Sequence, residues 1–155
     1  MKIVLVATHE ERYYATLIRS IKARKLDYVV LGKNVKWDDF MMKLKLLSEW
    51  LQNQNPREII MYLDAFDSVV VGEVLQAENV FESSGYDILF SSTPWNNIFT
   101  NYISRRIHGM DGSESHKNAG MFMGYAGPLQ KYLLELIETC KGVTHDDERC
   151  INTNV

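Results

Sequence analysis

Residues 58–71 carry the strongest constraint on what this chain can fold into. Ile59-Ile60-Met61-Tyr62-Leu63 is a continuous apolar run that ends in Asp64-Ala65-Phe66-Asp67, and Val69-Val70-Val71 follows. A strand with no polar alternation is covered on both faces, as in sheets flanked by helices. Two carboxylates at its end cannot stay charged and dry without a cation or hydrogen-bonding partners. Three residues apart, with a turn between them, Asp64 and Asp67 converge at the carboxyl end of the strand, where open α/β sheets take ligands. Their hard oxygens suit Mn²⁺ or Mg²⁺, ions that keep water and bridge to substrate phosphates. The structural alternative is a pair of acids that simply cap the next turn.

The rest of the chain supplies a sheet for that strand to sit in. Ile3 to Ala7 is short, apolar and rich in β-branched residues, and after Thr8-His9-Glu10 come Tyr14, Leu17, Ile18 and Ile21 at helical spacing. Tyr28 to Leu31 is a second apolar run, stopped at Gly32-Lys33-Asn34; the β-α-β order predicts parallel pairing with the first strand. From Asp38 to Gln54, Phe40, Met41, Leu44, Leu47, Trp50 and Leu51 recur every three or four residues, predicting a helix capped by Asp38 or Asp39. Asn53-Gln54-Asn55-Pro56 breaks it before the central strand.

Beyond Gly72, a short helix is expected from Glu73 to Phe81, ended by Ser83-Ser84-Gly85, and a strand from Asp87 to Ser91. Thr93 to Ser115 reads as a loop with a helix of undetermined length; loops of that size are often functional. Asn118 to Tyr125 is a glycine-flanked apolar strand, with close backbone approach expected at Gly120. Leu129 to Cys140 predicts an amphipathic helix closed by Gly142, and Asp146-Asp147 opens a last segment. Met41, Met42, Met121 and Met123 are expected to fill the core.

At 155 residues, residues 1–155 make one domain, α/β in class, with a mostly parallel, Rossmann-like sheet flanked by helices. A net charge of -3 gives no footprint for nucleic acid, and no run is long enough to span a membrane. Cys140 and Cys150 lie in no Cys-X-X-Cys spacing and are expected as free thiols in a reducing compartment. The apolar start is too short for a signal peptide, so a cytoplasmic location is expected, with a viral or bacterial source compatible.

Four stretches occur in a recognisable order: Tyr62 to Asp67, Phe90-Ser91-Ser92-Thr93-Pro94-Trp95, Asn118 to Tyr125, and Asp146-Asp147-Glu148. Together they resemble the glycosyltransferase domain of the procollagen lysyl hydroxylases and its viral and bacterial relatives, from Val4 to about Thr153. The resemblance implies a GT-A fold, a UDP-sugar donor, and a divalent metal, usually Mn²⁺, held by Asp64 and Asp67. It further implies that Phe66 packs on the uracil, that the strand edge at Val6, Ala7 and Thr8 reads the base, and that Lys43 lies near the diphosphate. Asp39-Phe40-Met41-Met42 replaces the glycine-rich residues that usually precede that lysine. Asn118, Ala119 and Gly120 match a loop beside the donor sugar, Asp146 and Asp147 an acidic cluster needed for transfer, and Trp95 an active-site tryptophan.

The resembled family continues into a further strand and a late histidine that completes the metal site, whereas this sequence stops eight residues after Asp147. The expectation is a truncated polypeptide, or water or another group in that position, His116 and His145 being alternatives.

Bland readings stand beside each of these. Lys43 on a helix is commonly a solvent-exposed charge; Trp95 is either a stacking platform or a buried loop aromatic. Asp147 is either a base for the acceptor hydroxyl or an acceptor-binding group, and Asp146-Asp147 is also a plain helix cap. His108, His116 and His145 each read as surface or hydrogen-bonded histidines.

The expected function is a metal-dependent hexosyltransferase acting from a UDP-sugar onto an unidentified acceptor hydroxyl. Collagen hydroxylysine is the acceptor associated with the resembled domain. The alternative is a noncatalytic nucleotide- or sugar-binding module with an incomplete metal site. A dinucleotide enzyme is disfavoured, because Ala7-Thr8-His9-Glu10 follows the first strand in place of Gly-X-Gly-X-X-Gly.

Overall fold

A computed structural model describes residues 1–93 and 116–153. Trp95, His108 and the expected loop helix lie outside the described residues. Five strands, β1 (Lys2–Val6), β2 (Tyr28–Leu31), β3 (Ile59–Leu63), β4 (Ile88–Thr93) and β5 (His116–Tyr125), form one sheet in the order β2-β1-β3-β5-β4. β1 pairs in parallel with both β2 and β3, as the β-α-β reading requires, while β5 runs antiparallel between β3 and β4. The sheet is therefore mixed, with four strands in one direction and β5 opposed. The start of β5 thus lies at the same edge as the ends of β1, β3 and β4, the edge that becomes the site.

The strands carry helices on both faces, and alternation along them separates two cores. Val4, Val6, Ile60, Tyr62 and Phe122 face α2 (Met41–Leu51), α4 (Ala126–Cys140) and α5 (Asp147–Thr153). Ile3, Leu5, Met61, Leu63 and Met123 face the opposite way, toward α1 (Tyr14–Ala23) and α3 (Val74–Ser84). On α1, Tyr14, Leu17 and Ile21 are buried, one stripe at helical spacing. The fully buried Tyr62 ring stacks on Phe122, centroids 4.7 Å apart, joining β3 to β5 on the α2 side. Burying side chains of this size contributes about 1.5–3 kcal/mol each, so a strand covered on both faces is the most firmly held part of such a sheet.

Two expectations are corrected. The first concerns the cysteines, which are not free thiols: Cys140 and Cys150 form a disulfide, with their Cα atoms 5.9 Å apart. The chain turns at Gly142, whose φ of +73° lies in the left-handed region, and brings α5 back against the end of α4. The thiol argument for a reducing compartment therefore falls away. The second concerns Met121, which is not a core filler. Met41, Met42 and Met123 are buried, but Met121 is 46% exposed and faces the cavity described below. Lys43 is 8% exposed, which sets aside the alternative of a solvent-exposed helix charge. Among the described residues, no helix is long and apolar enough to cross a membrane.

Candidate active site

The carboxyl edge of β3 opens into a cavity of about 800 Å³ lined by Lys43, Asp64, Asp67, Asn118, Gly120 and Asp147, among others. β3 delivers Asp64 there because its ladder with β5 continues one step past the strand: the Asp64 N–H donates to the Gly120 carbonyl at 2.7 Å. Gly120 is itself held by its N–H donating to Asn118 Oδ1 at 2.7 Å. A Cβ on Gly120 would come within 2.9 Å of that oxygen and 3.6 Å of Asp64 Cβ, which explains the close approach expected from the sequence.

Asp64 also has the structural role that sequence reasoning set against the metal: its Oδ1 accepts the Phe66 N–H at 3.3 Å, a side-chain turn at the strand end. Its second oxygen stays available to other partners. Oδ2 faces the Lys43 ammonium at 3.3 Å, and the same ammonium lies 2.7 Å from Asp147 Oδ2. The Asp147 contact is close enough for an ion pair but lies off the hydrogen-bonding direction. One lysine from α2 therefore bridges an acid from β3 and an acid from α5. Burial alone depresses the Lys43 ammonium, but the charges of Asp147 and Asp64 outweigh it and raise the net pKa above the ordinary lysine value.

Asp67 lies outside this pairing. Burial, followed by the charge of Asp64, raises its carboxyl above the ordinary aspartate range, and the weaker pull of Lys43 does not cancel them. Two acids held near each other with one only partly compensated form a natural seat for added positive charge. Among the described residues, no group of three His, Cys, Asp or Glu side chains is placed to hold a metal.

The two members of the Asp146-Asp147 pair have different roles. Asp146 is the helix cap: its Oδ1 accepts the Arg149 N–H at 2.9 Å and its carbonyl accepts the Cys150 N–H at 3.0 Å. Asp147, in the first position of α5, is 5% exposed and points to Lys43. His145 is taken up by Asp39 at 2.7 Å, a contact that lowers the Asp39 carboxyl, so the structure does not bring it to Asp64 and Asp67. Asp39 in turn caps α2 by accepting the Met42 N–H at 3.0 Å.

Asn118, Ala119 and Gly120 line the cavity, whereas Val6, Ala7, Thr8 and Phe66 do not. Val6 and Ala7 are buried, and the contacts of these residues run elsewhere. Ala7 N–H donates to the Leu31 carbonyl at 2.9 Å, Thr8 Oγ1 lies 2.8 Å from His9 Nδ1, and the His9 ring is 5.3 Å from the Phe66 ring. Sequence reasoning missed Phe40, Ser68, Ser91, Ser92 and Met121 in the lining, and missed Asn152, which ties α5 to β5. A polar residue directly after the buried Cys150-Ile151 pair is the one signal that pointed to Asn152, since such a side chain needs partners.

The fold is of the GT-A type of α/β architecture, as its likeness to a solved glycosyltransferase shows. The galactosyltransferase LgtC, solved with donor and acceptor sugar analogs, is similar over 99% of this chain and 70% of its own, with a TM-score of 0.60 at 16% identity. A197 from STIV is similar over 84% of this chain and 66% of its own, with a TM-score of 0.53 at 15% identity. The chain belongs to the PLOD GT domain family, whose sequence pattern matches residues 1–155. A procollagen-lysine,2-oxoglutarate 5-dioxygenase of Drosophila melanogaster is 28% identical over 162 aligned residues, covering 96% of this chain. The chain spans 21% of the length of that protein.

Proposed function

We propose that this domain moves a hexose from a UDP-sugar to an acceptor hydroxyl, with Mn²⁺ or Mg²⁺ held by Asp64 and Asp67. The observation that carries the reading is the buried acid-lysine-acid bridge of Asp64, Lys43 and Asp147 beside a cavity of about 800 Å³ at the carboxyl edge of the sheet. Family membership and the LgtC-like fold support glycosyl transfer as the general chemistry.

The residues present suit a divalent ion of the hard, oxygen-loving kind. Asp64 and Asp67 supply two carboxylates, and the Asp67 carboxyl, raised by burial first and by the charge of Asp64 second, is one that an added cation would favour in its ionised form. When bound, the cation supplies positive charge against the diphosphate that departs as the sugar leaves. Lys43, which lines the cavity as Arg149 also does, binds the same diphosphate in this reading. Asn118 to Gly120 form the floor beside the donor sugar. In this reading Phe66 and the backbone of Val6, Ala7 and Thr8 take the base, and Asp147, which lines the cavity, serves the acceptor hydroxyl.

A second reading takes one arm of the same bridge differently. The Lys43 ammonium already sits 3.3 Å from Asp64 Oδ2 and neutralises it, as it would in a noncatalytic nucleotide- or sugar-binding module. Incubating the chain with UDP-glucose or UDP-galactose and Mn²⁺ and following UDP release separates the two. Turnover that is lost in Asp147→Asn while UDP affinity is kept supports transfer. Tight UDP binding without turnover supports the module.

A further inference from the structure

Asn152 closes a ring of contacts around the site. Its side chain is 1% exposed; its Nδ2 donates to the Lys117 carbonyl at 2.8 Å and to the Glu148 carbonyl at 2.8 Å, and its Oδ1 accepts the Lys117 N–H at 2.9 Å. A single amide thereby engages both main-chain groups of Lys117, as a neighbouring strand would. Lys117 directly precedes Asn118, whose Oδ1 fixes Gly120, whose carbonyl fixes the Asp64 N–H. Within its own helix the amide also bonds back to Glu148, next to Asp147; the Asp147 carboxylate meets Lys43, which meets Asp64.

α5 has seven residues, too few for a helix to hold itself in place. Its position comes from what grips it: the disulfide to α4, the buried Ile151, and the Asn152 amide. Ile151 packs in the same core as Ala119 and Phe122 of β5, and the amide adds directed hydrogen bonds to the Lys117 backbone, which set the register of α5 against the strand that carries Asn118 and Gly120.

We propose that Asn152 is a positioning residue for the transfer reaction: by clamping the Lys117 backbone it fixes Asp147 relative to Lys43, Asp64 and the Asn118-Gly120 floor. The inference rests on the proposed function for its catalytic part, and on contacts alone for its geometric part. An aspartate at 152 keeps the shape and the bond from Lys117 N–H but sets an oxygen against two carbonyls, so α5 moves away.

The test uses Asn152→Asp, with Asn152→Ser as a gentler second variant should the first fail to fold. Two readouts are taken. In the first, Lys43 is mapped by mass spectrometry after brief acetic anhydride treatment of the folded chain. It is protected in the wild type and reacts about tenfold faster or more in the variant, the response of a buried group freed by local opening. Unchanged protection in a folded variant overturns the proposal whether or not the chain is an enzyme. In the second, UDP release from UDP-galactose with Mn²⁺ falls about 30- to 100-fold in kcat with donor KM within about threefold, the size expected of a misplacement near 1 Å. In an Asp147→Asn background the same substitution costs less than about threefold more, because the two act as one unit. Additive losses overturn the link to Asp147. No turnover in the wild type, with Lys43 exposed in the variant, removes the enzyme reading and leaves the clamp.

Discussion

Replacing Lys43 by methionine removes one positive charge from between two acids and leaves most of the side-chain length in place. At an effective dielectric of about 20, unit charges 2.7 Å and 3.3 Å apart attract by about 6 and about 5 kcal/mol. Much of this is offset by the desolvation of the ammonium, and the Asp64 side chain, 22% exposed, contributes less than Asp147 at 7%. What remains is dominated by the Asp147 carboxylate left buried without its partner, a loss of about 3–5 kcal/mol.

For a domain of this size that lowers the melting temperature by about 6–20 °C, measurable by circular dichroism at neutral pH. The Lys43→Met/Asp147→Asn double variant recovers most of the loss, because removing both partners removes the stranded charge. The pH dependence has a defined sign. Lys43 has a raised folded pKa, so its stabilisation is complete below the unfolded-chain value and is lost as pH rises through the folded one. The gap between wild type and Lys43→Met therefore narrows in strongly alkaline buffer. A single variant as stable as wild type, or a double variant no better than the single, would refute the bridge.

Asp64→Ala and Asp67→Ala each abolish Mn²⁺-dependent UDP binding while the melting temperature stays within a few degrees; unchanged affinity in the double variant removes the metal assignment. Because burial and Asp64 hold the Asp67 carboxyl above the ordinary aspartate range, Mn²⁺ must displace a proton there as pH falls through that raised value. Titrations at decreasing pH show affinity weakening at a higher pH than an unperturbed aspartate gives; a flat profile to about pH 4 contradicts this. Cys140→Ser or Cys150→Ser costs about 3 kcal/mol in urea denaturation, from the ten-residue separation that the disulfide closes. No change after reduction means the bond contributes nothing to stability.

What the sequence made legible was local. Ile59 to Leu63 announced a doubly covered strand because no polar residue interrupts it, and the acids that end it had only one edge of the sheet to reach. The apolar stripe of α2 showed equally well, although its start slipped from Asp38 to Met41 because Asp39 caps from outside. The illegible parts depend on elements that meet across long separations. Lys43 lies in a helix whose composition says nothing of an acid arriving from α5, so its burial was invisible. Cys140 and Cys150 were misread because their pairing depends on the turn at Gly142 folding α5 back onto α4. Met121 alternates correctly with Phe122, yet its face of β5 looks into a cavity at that level, where apolar character no longer implies burial. Asn152 belongs to no motif, and only its place beside buried neighbours hinted at a clamp.

The central claim is a nucleotide-sugar site organised by Asp64, Asp67 and Lys43, and calorimetric titration of UDP into the purified chain, with and without Mn²⁺, tests it most directly. Saturable binding that requires Mn²⁺ and is lost in Asp67→Ala is the predicted result. Heat-silent titrations in both conditions, or equal affinity with and without the ion, would contradict it.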